Sequence, residues 1–287
     1  VTAGVESDDG LAGGDGGAGL MLARVLQLAS PALPIGAYSY SSGLESALDS
    51  GLVHDDQSAF EWIADALALV HGRYEAPVVA AAAAVAAKSR PAQRQAATSA
   101  ASPSDGAGDL SLDRLDDWVR AGRESAELRL ESEQMGYSLR QWLDHVPGSA
   151  GAGATPAGDK GTAAADDGTA AGHDATRAGD DVTAAGPACA NAAVVFGIAA
   201  ARLGLSPETA AMAWLWGFAE NQVMVLIKAM PIGQIRAQRL LWRLGAVVAA
   251  TAAAAARRPQ QQWSNAAPGL AIASMRHERQ YSRLFRS

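Results

Sequence analysis

Lysine and cysteine are the residues this 287-residue chain nearly does without. Its single cysteine, Cys189, excludes an intramolecular disulfide and any metal site built on paired thiolates, which suits a reducing compartment. Lysines stand only at Lys88, Lys160 and Lys228, and the formal net charge is −7. A chain of net negative charge lacks the basic surface that nucleic-acid phosphates require. No GxxxxGK[ST], HExxH, CxxC or GxSxG sequence occurs, so a phosphate-binding loop and the common hydrolase signatures are excluded. The first residues, VTAGVESDDG, are acidic where a secretory leader is basic and then apolar. The most apolar long stretch, Ala210 to Ile227, is interrupted by Glu220, Asn221 and Gln222. It falls short of the roughly 20 unbroken apolar residues that a membrane span needs. The expectation is a cytoplasmic protein with no membrane or nucleic-acid partner and no cofactor.

What the chain has is alanine. Hydrophobic residues make up 49% of it and aromatics only 6%. An alanine-rich core with few β-branched runs and no alternating segment predicts close-packed helices, that is, an all-α, single-domain helical bundle. Residues 1–19 are rich in glycine and aspartate and are expected to be disordered; the GDGGAG within them lacks the preceding strand that a dinucleotide-binding loop requires. Residues 20–145 and 188–258 read as one helical domain, parted by a disordered Gly/Ala/Asp-rich insertion at 146–187. Within that domain, Ser41 or Ser42 is expected to cap a helix through GLESALDSGLV, and Asp55 or Ser58 starts the next. Pro77 opens an alanine-rich helix, and 93–108 reads as a loop. Leu112 to Leu143 reads as one long charged helix on whose surface Arg123 and Glu127 can pair. Ser206-Pro207-Glu208 is a strong helix start: a capping hydroxyl, a proline in the first turn and an acid near the positive end of the dipole. Residues 259–287, following Pro259, form a tail expected to order on binding a partner.

Four features invite a chemical reading. SPALPIGAYSYSSGLE, from Ser30 to Glu45, breaks the alanine pattern with prolines, glycines and tyrosines. Pro31 and Pro34 restrict its backbone and Gly36 frees it, which makes it a rigid turn. His71 and Glu75 stand one helical turn apart, but two ligands alone favour a structural role over a metal. Glu220, Met224 and Lys228 share a face of an otherwise apolar helix with Asn221 beside them, and polar groups there must be paired or wetted. The C-terminal SMRHERQYSRLFRS mixes arginines with Tyr281 and Phe285, the chemistry of interface anchors.

Four stretches, VLQLASPALPIGAYSYSSGLE, RESAELRLESEQMGYSLRQW, NQVMVLIKAMPIGQ and MRHERQYSRLFRS, stand in the order found in the urease accessory protein UreF family, which the chain resembles over most of its length outside 1–19 and 146–187. The resemblance implies an all-helical protein that dimerises and has no catalytic site of its own. It further implies binding to UreD (UreH in some systems), recruitment of the GTPase UreG, and service in nickel delivery to apo-urease. Carried over by motif, the implied partner-binding residues are Tyr38, Ser39, Gly43 and Glu45 at the start. Lys228 and Gln234 follow in the centre, and Arg276, His277, Tyr281 and Arg283 lie in the tail, with Arg283 foremost for UreG. No metal ligand is assigned. Two rivals stand beside this reading: an all-α enzyme using an acid and an amine near Glu220 and Lys228, and a generic helical scaffold.

Overall fold

A computed structural model of the chain describes residues 15–89, 110–123, 125–146, 189–277, 281 and 283–286. The expected loop at 93–108 and the insertion at 146–187 lie almost wholly outside the described residues. Those described form α1 (Asp15–Ala29), α2 (Leu44–Asp49), α3 (Asp56–Asp65), α4 (Glu75–Lys88), α5 (Leu112–Ala121), α6 (Ala126–His145), α7 (Ala192–Arg202), α8 (Pro207–Ala229), α9 (Gln234–Ala256) and α10 (Pro268–His277), with no strand among them. The fold is all-α.

The starts of α3 and α8 follow from their caps. Asp55 accepts the Ser58 N–H at 2.8 Å while the Ser58 hydroxyl reaches back to the Asp55 N–H, a reciprocal capping box. Ser206 Oγ accepts the Thr209 N–H at 3.1 Å, with Pro207 leading the helix. From there α8 runs through the middle, packed on α9, on α4 and on α1. Two apolar clusters flank it. Leu44, Ile63, Leu67, Leu215, Leu226 and Leu244 belong to one, and Val79, Leu139, Val194 and Phe196 to the other. Trp214 and Trp216 of α8 touch both, which makes one core of them. Although α8 and α9 are each 23 residues and apolar enough by length to cross a membrane, both carry core side chains in this bundle.

Small residues set a close approach between α4 and α7. A Cβ on Gly197 of α7 would lie 2.6 Å from both the Ala82 side chain and the Val79 carbonyl oxygen. Hydrogen replaces that methyl, so the backbones meet at a distance that larger residues forbid.

Five local expectations are corrected. Leu112–Leu143 is two helices, broken at Gly122–Ser125. Arg123 turns inward at the break to meet Glu75 at 2.6 Å, and the Tyr74 ring fills the space a side chain at 122 would need. Arg123 therefore does not pair with Glu127, whose carboxylate meets Arg283 instead. Helix α2 is capped by Gly43 at φ 82° rather than by Ser41 or Ser42, because the chain reverses there in the left-handed region that glycine tolerates. The alanine-rich helix opens at Glu75 with Pro77 inside its first turn, where the missing N–H costs nothing. Finally, α1 begins at Asp15, inside the glycine-rich segment expected to be disordered.

Gly197→Ala is expected to lower stability by about 1–3 kcal/mol through overpacking, read as a reduced urea midpoint; an unchanged midpoint would show that α4 and α7 can part at no cost.

Candidate docking site built on Glu45

The turn from Ser30 to Glu45 is held from beneath by the polar residues of the central helix. Asn221 Nδ2 donates to the Tyr40 carbonyl at 2.9 Å, and the buried Gln222 Nε2 donates to the Ser41 carbonyl at 3.2 Å. These groups interrupt an apolar helix because two buried peptide oxygens need donors. Gly36 at φ 75°, Ser42 at φ 50° and Gly43 at φ 82° bend the chain over that support. The bend delivers Glu45 into the interior, with 5% of its surface exposed.

Three donors from the C-terminal segment converge on that carboxylate. His277 Nε2, on a fully buried ring, lies 3.0 Å from Oε2; the Leu284 N–H donates to Oε1 at 2.7 Å and the Phe285 N–H to Oε2 at 3.1 Å. The Arg286 N–H adds a bond to the Ser39 carbonyl at 2.8 Å. Gly43 lets α10 sit close, its Cβ position lying 3.4 Å from Ala273 Cβ. Arg283 meets Glu127 Oε1 at 2.7 Å, and Glu127 also stands 3.6 Å from His277 Nδ1. Lys228 Nζ lies 5.9 Å from the ring centre of Tyr38 and 5.4 Å from that of Phe285, so its cation faces both motifs. The opening motif, Lys228 and the tail thus form one face. Tyr38, Met275, Arg276, Tyr281 and Leu284 are exposed on the segments that build it. The tail, expected to await a partner, lies here against the chain's own Glu45.

Gln234 is not part of this face. It opens α9 beside the exposed Ile235, Gln238 and Trp242, the last 86% exposed. The acid and amine of the enzyme reading are not brought together either. Glu220 takes a hydrogen bond from Trp216, with burial raising its carboxyl, while Lys228 stands two turns away, about 12 Å along the helix. Sequence reasoning missed Glu127, an exposed-looking acid on a charged helix, and did not foresee what Asn221 and Gln222 hold.

A second buried ionic group lies deeper. Glu75, 3% exposed, meets Arg123 Nη1 at 2.6 Å, His71 Nδ1, and the Trp214 Nε1–H at 3.3 Å. Burial by itself would raise this carboxyl, but His71 and Arg123 hold it far below the usual carboxylate range. The His71–Glu75 pair is therefore spent on structure. No group of three or more His, Cys, Asp or Glu side chains suited to a metal exists among the described residues. At Cys189, burial first and then Asp116 push the thiol up to about 12, which leaves it a poor ligand or nucleophile.

The UreF family model matches residues 53–245. A urease accessory protein UreF of Dechloromonas aromatica (strain RCB) is 43% identical over 269 residues, covering 93% of this chain and 98% of its own. The chain belongs to the UreF family. A UreF of Ectopseudomonas mendocina (strain ymp) is 41% identical, covering 92% of this chain and 97% of its own, and one of Azoarcus sp. (strain BH72) is 42% identical over 93% and 96%. UreF proteins are accessory proteins rather than catalysts, in keeping with the scattered acid and amine of the rival reading.

Two outcomes follow for this UreF-family chain. Glu45→Ala is expected to speed hydrogen exchange at the Leu284 and Phe285 amides by roughly 10- to 100-fold, since each loses a buried charged acceptor worth about 1–3 kcal/mol; unchanged protection would show that the carboxylate does not hold the tail. Because the Glu75 carboxyl is lowered by folding, its contribution is complete above the unfolded value of about 4.3 and is lost as pH falls further. The stability gap between the native chain and Glu75→Gln should therefore narrow below about pH 4, and urea midpoints that stay parallel from pH 7 to 3 would contradict this.

Proposed function

We propose that this chain is a cytoplasmic, non-enzymatic adaptor in the maturation of nickel-dependent urease, bridging UreD (UreH) and the GTPase UreG and coupling GTP hydrolysis to nickel delivery into apo-urease. The supporting observation is that the opening motif and the C-terminal tail fold into a single face, pinned by three bonds to Glu45. A composite face of this kind suits recognition by one partner of a surface that exists only while the tail is docked. Tyr38, Ser39, Gly43, Lys228, Arg276, His277, Tyr281 and Arg283 all lie on or within its elements, either exposed for contact or buried to shape it. Coupling to GTP hydrolysis requires the adaptor to bind one nucleotide state of UreG more tightly than the other, because only differential affinity shifts an equilibrium.

The same reading includes a homodimer. The outer face of α9 carries Ile235 and Trp242, 72% and 86% exposed, flanked by Gln234, Gln238 and Arg239. An aromatic anchor beside an arginine is the composition of an interface core.

Deleting the gene should leave urease poor in nickel and inactive, with metal content measured on the purified enzyme; full nickel loading in its absence would overturn the reading. Removing the last dozen residues should abolish co-purification with UreD and UreG, and unchanged capture would sink the role of the docked tail. Trp242→Glu is expected to shift the sedimenting species from dimer to monomer.

A further inference from the structure

Beneath the docked tail lies a cavity of about 460 Å3, within the range of small-molecule sites. Its walls are largely apolar, with Ile35, Met135, Phe196, Trp214 and Phe218 among them. Leu270, Ala271 and Ser274 of α10 also line it, so the helix pinned by Glu45 and His277 closes one side.

Two buried polar groups around this space are incompletely used, and an exposed cation stands at its edge. His71 is 8% exposed; its Nδ1 is taken by Glu75, its ring lies 3.8 Å from that of Phe218, and its buried Nε2 has no hydrogen-bond partner. Arg123 spends its terminal nitrogens on Glu75 and Ser132 and leaves Nε buried without an acceptor. Lys228 lines the cavity too, with aromatic rings beside it and no carboxylate pair among the described residues. Leaving buried donors or acceptors unmade costs about 1–3 kcal/mol each, a cost that a bound molecule removes. Both carboxylates near the floor are already engaged, Glu75 as described and Glu131 through contacts of its own.

We propose that this cavity is a binding site for a small organic anion with an apolar body. Its negative group lies toward Lys228, its body against Trp214 and Phe218, and a hydroxyl or amine reaches inward to His71 Nε2 and Arg123 Nε. Because α10 forms one wall, occupancy is linked to the docking of the tail: a ligand that fills the space beneath α10 holds the tail down. The site stands whether or not the chain is an adaptor, since it rests on the cavity and its unused polar atoms alone.

The test uses the full chain and two fluorescent probes of one shape, anionic 8-anilinonaphthalene-1-sulfonate and its uncharged counterpart N-phenyl-1-naphthylamine. The anion is expected to bind saturably at one site per chain, roughly tenfold more tightly than the neutral probe. Lys228→Met should weaken the anion about tenfold while leaving the neutral probe unchanged. Leu270→Trp, which fills the cavity from the lid side, should abolish both while circular dichroism and the melting temperature show a folded chain. Binding that does not saturate, or that is equal in the folded Leu270→Trp chain, would overturn the proposal by showing surface adsorption around a merely hydrated cavity. Equal affinity of both probes, or of Lys228→Met and the native chain for the anion, would overturn the assigned charge.

Discussion

One carboxylate joins the two ends of this molecule. Glu45 is carried inward by a left-handed bend at Ser42 and Gly43, and there it accepts hydrogen bonds from residues more than 230 positions later. A buried carboxylate is costly unless its oxygens are filled, and the C-terminal segment supplies the donors. The tail in turn has little apolar surface with which to hold itself; Phe285 is its one buried large side chain among residues 281 and 283–286. Each side thus meets a need that the other cannot meet locally. The opening and closing motifs are far apart in sequence, and at this carboxylate they are one structure.

The bundle that carries this face is built by a different rule. Alanine and glycine contribute little area each, so α4, α7 and α8 gain by close approach rather than by large side chains. Bulk comes from leucines and from a few partly buried tryptophans. Trp214 packs its ring edge-on to Phe196 at 5.1 Å, gives its N–H to Glu75 and lines the cavity. A core so economical in bulk leaves a void where α1, α4, α6, α7, α8 and α10 meet around a charged floor.

That floor has its own logic. Arg123 reaches Glu75 only because the helix breaks at Gly122, and Tyr74, whose hydroxyl donates to the Trp118 carbonyl at 3.0 Å, occupies the gap. The group is compact because one carboxylate is served by a guanidinium, an imidazole and an indole N–H together. The same demand that breaks the expected long helix therefore also releases Glu127 for Arg283 of the tail.

Much of this was written locally. The absence of alternation and the wealth of alanine determined an all-α chain; Ser206-Pro207 and Asp55 determined where helices start, because a cap acts within four residues. Gly36 in the left-handed region and the polar triplet at 220–222 were equally visible as features that needed an explanation. Family membership, too, was legible, since motifs survive as strings. Only the tertiary structure decided what those residues face. Glu127 looked like a surface acid, Arg123 like its neighbour's partner, and Gln222 like an interruption, until distant segments supplied Arg283, Glu75 and the Ser41 carbonyl. Pairing of buried charge is settled by which chains meet in space, and sequence spacing encodes only the neighbours one turn away.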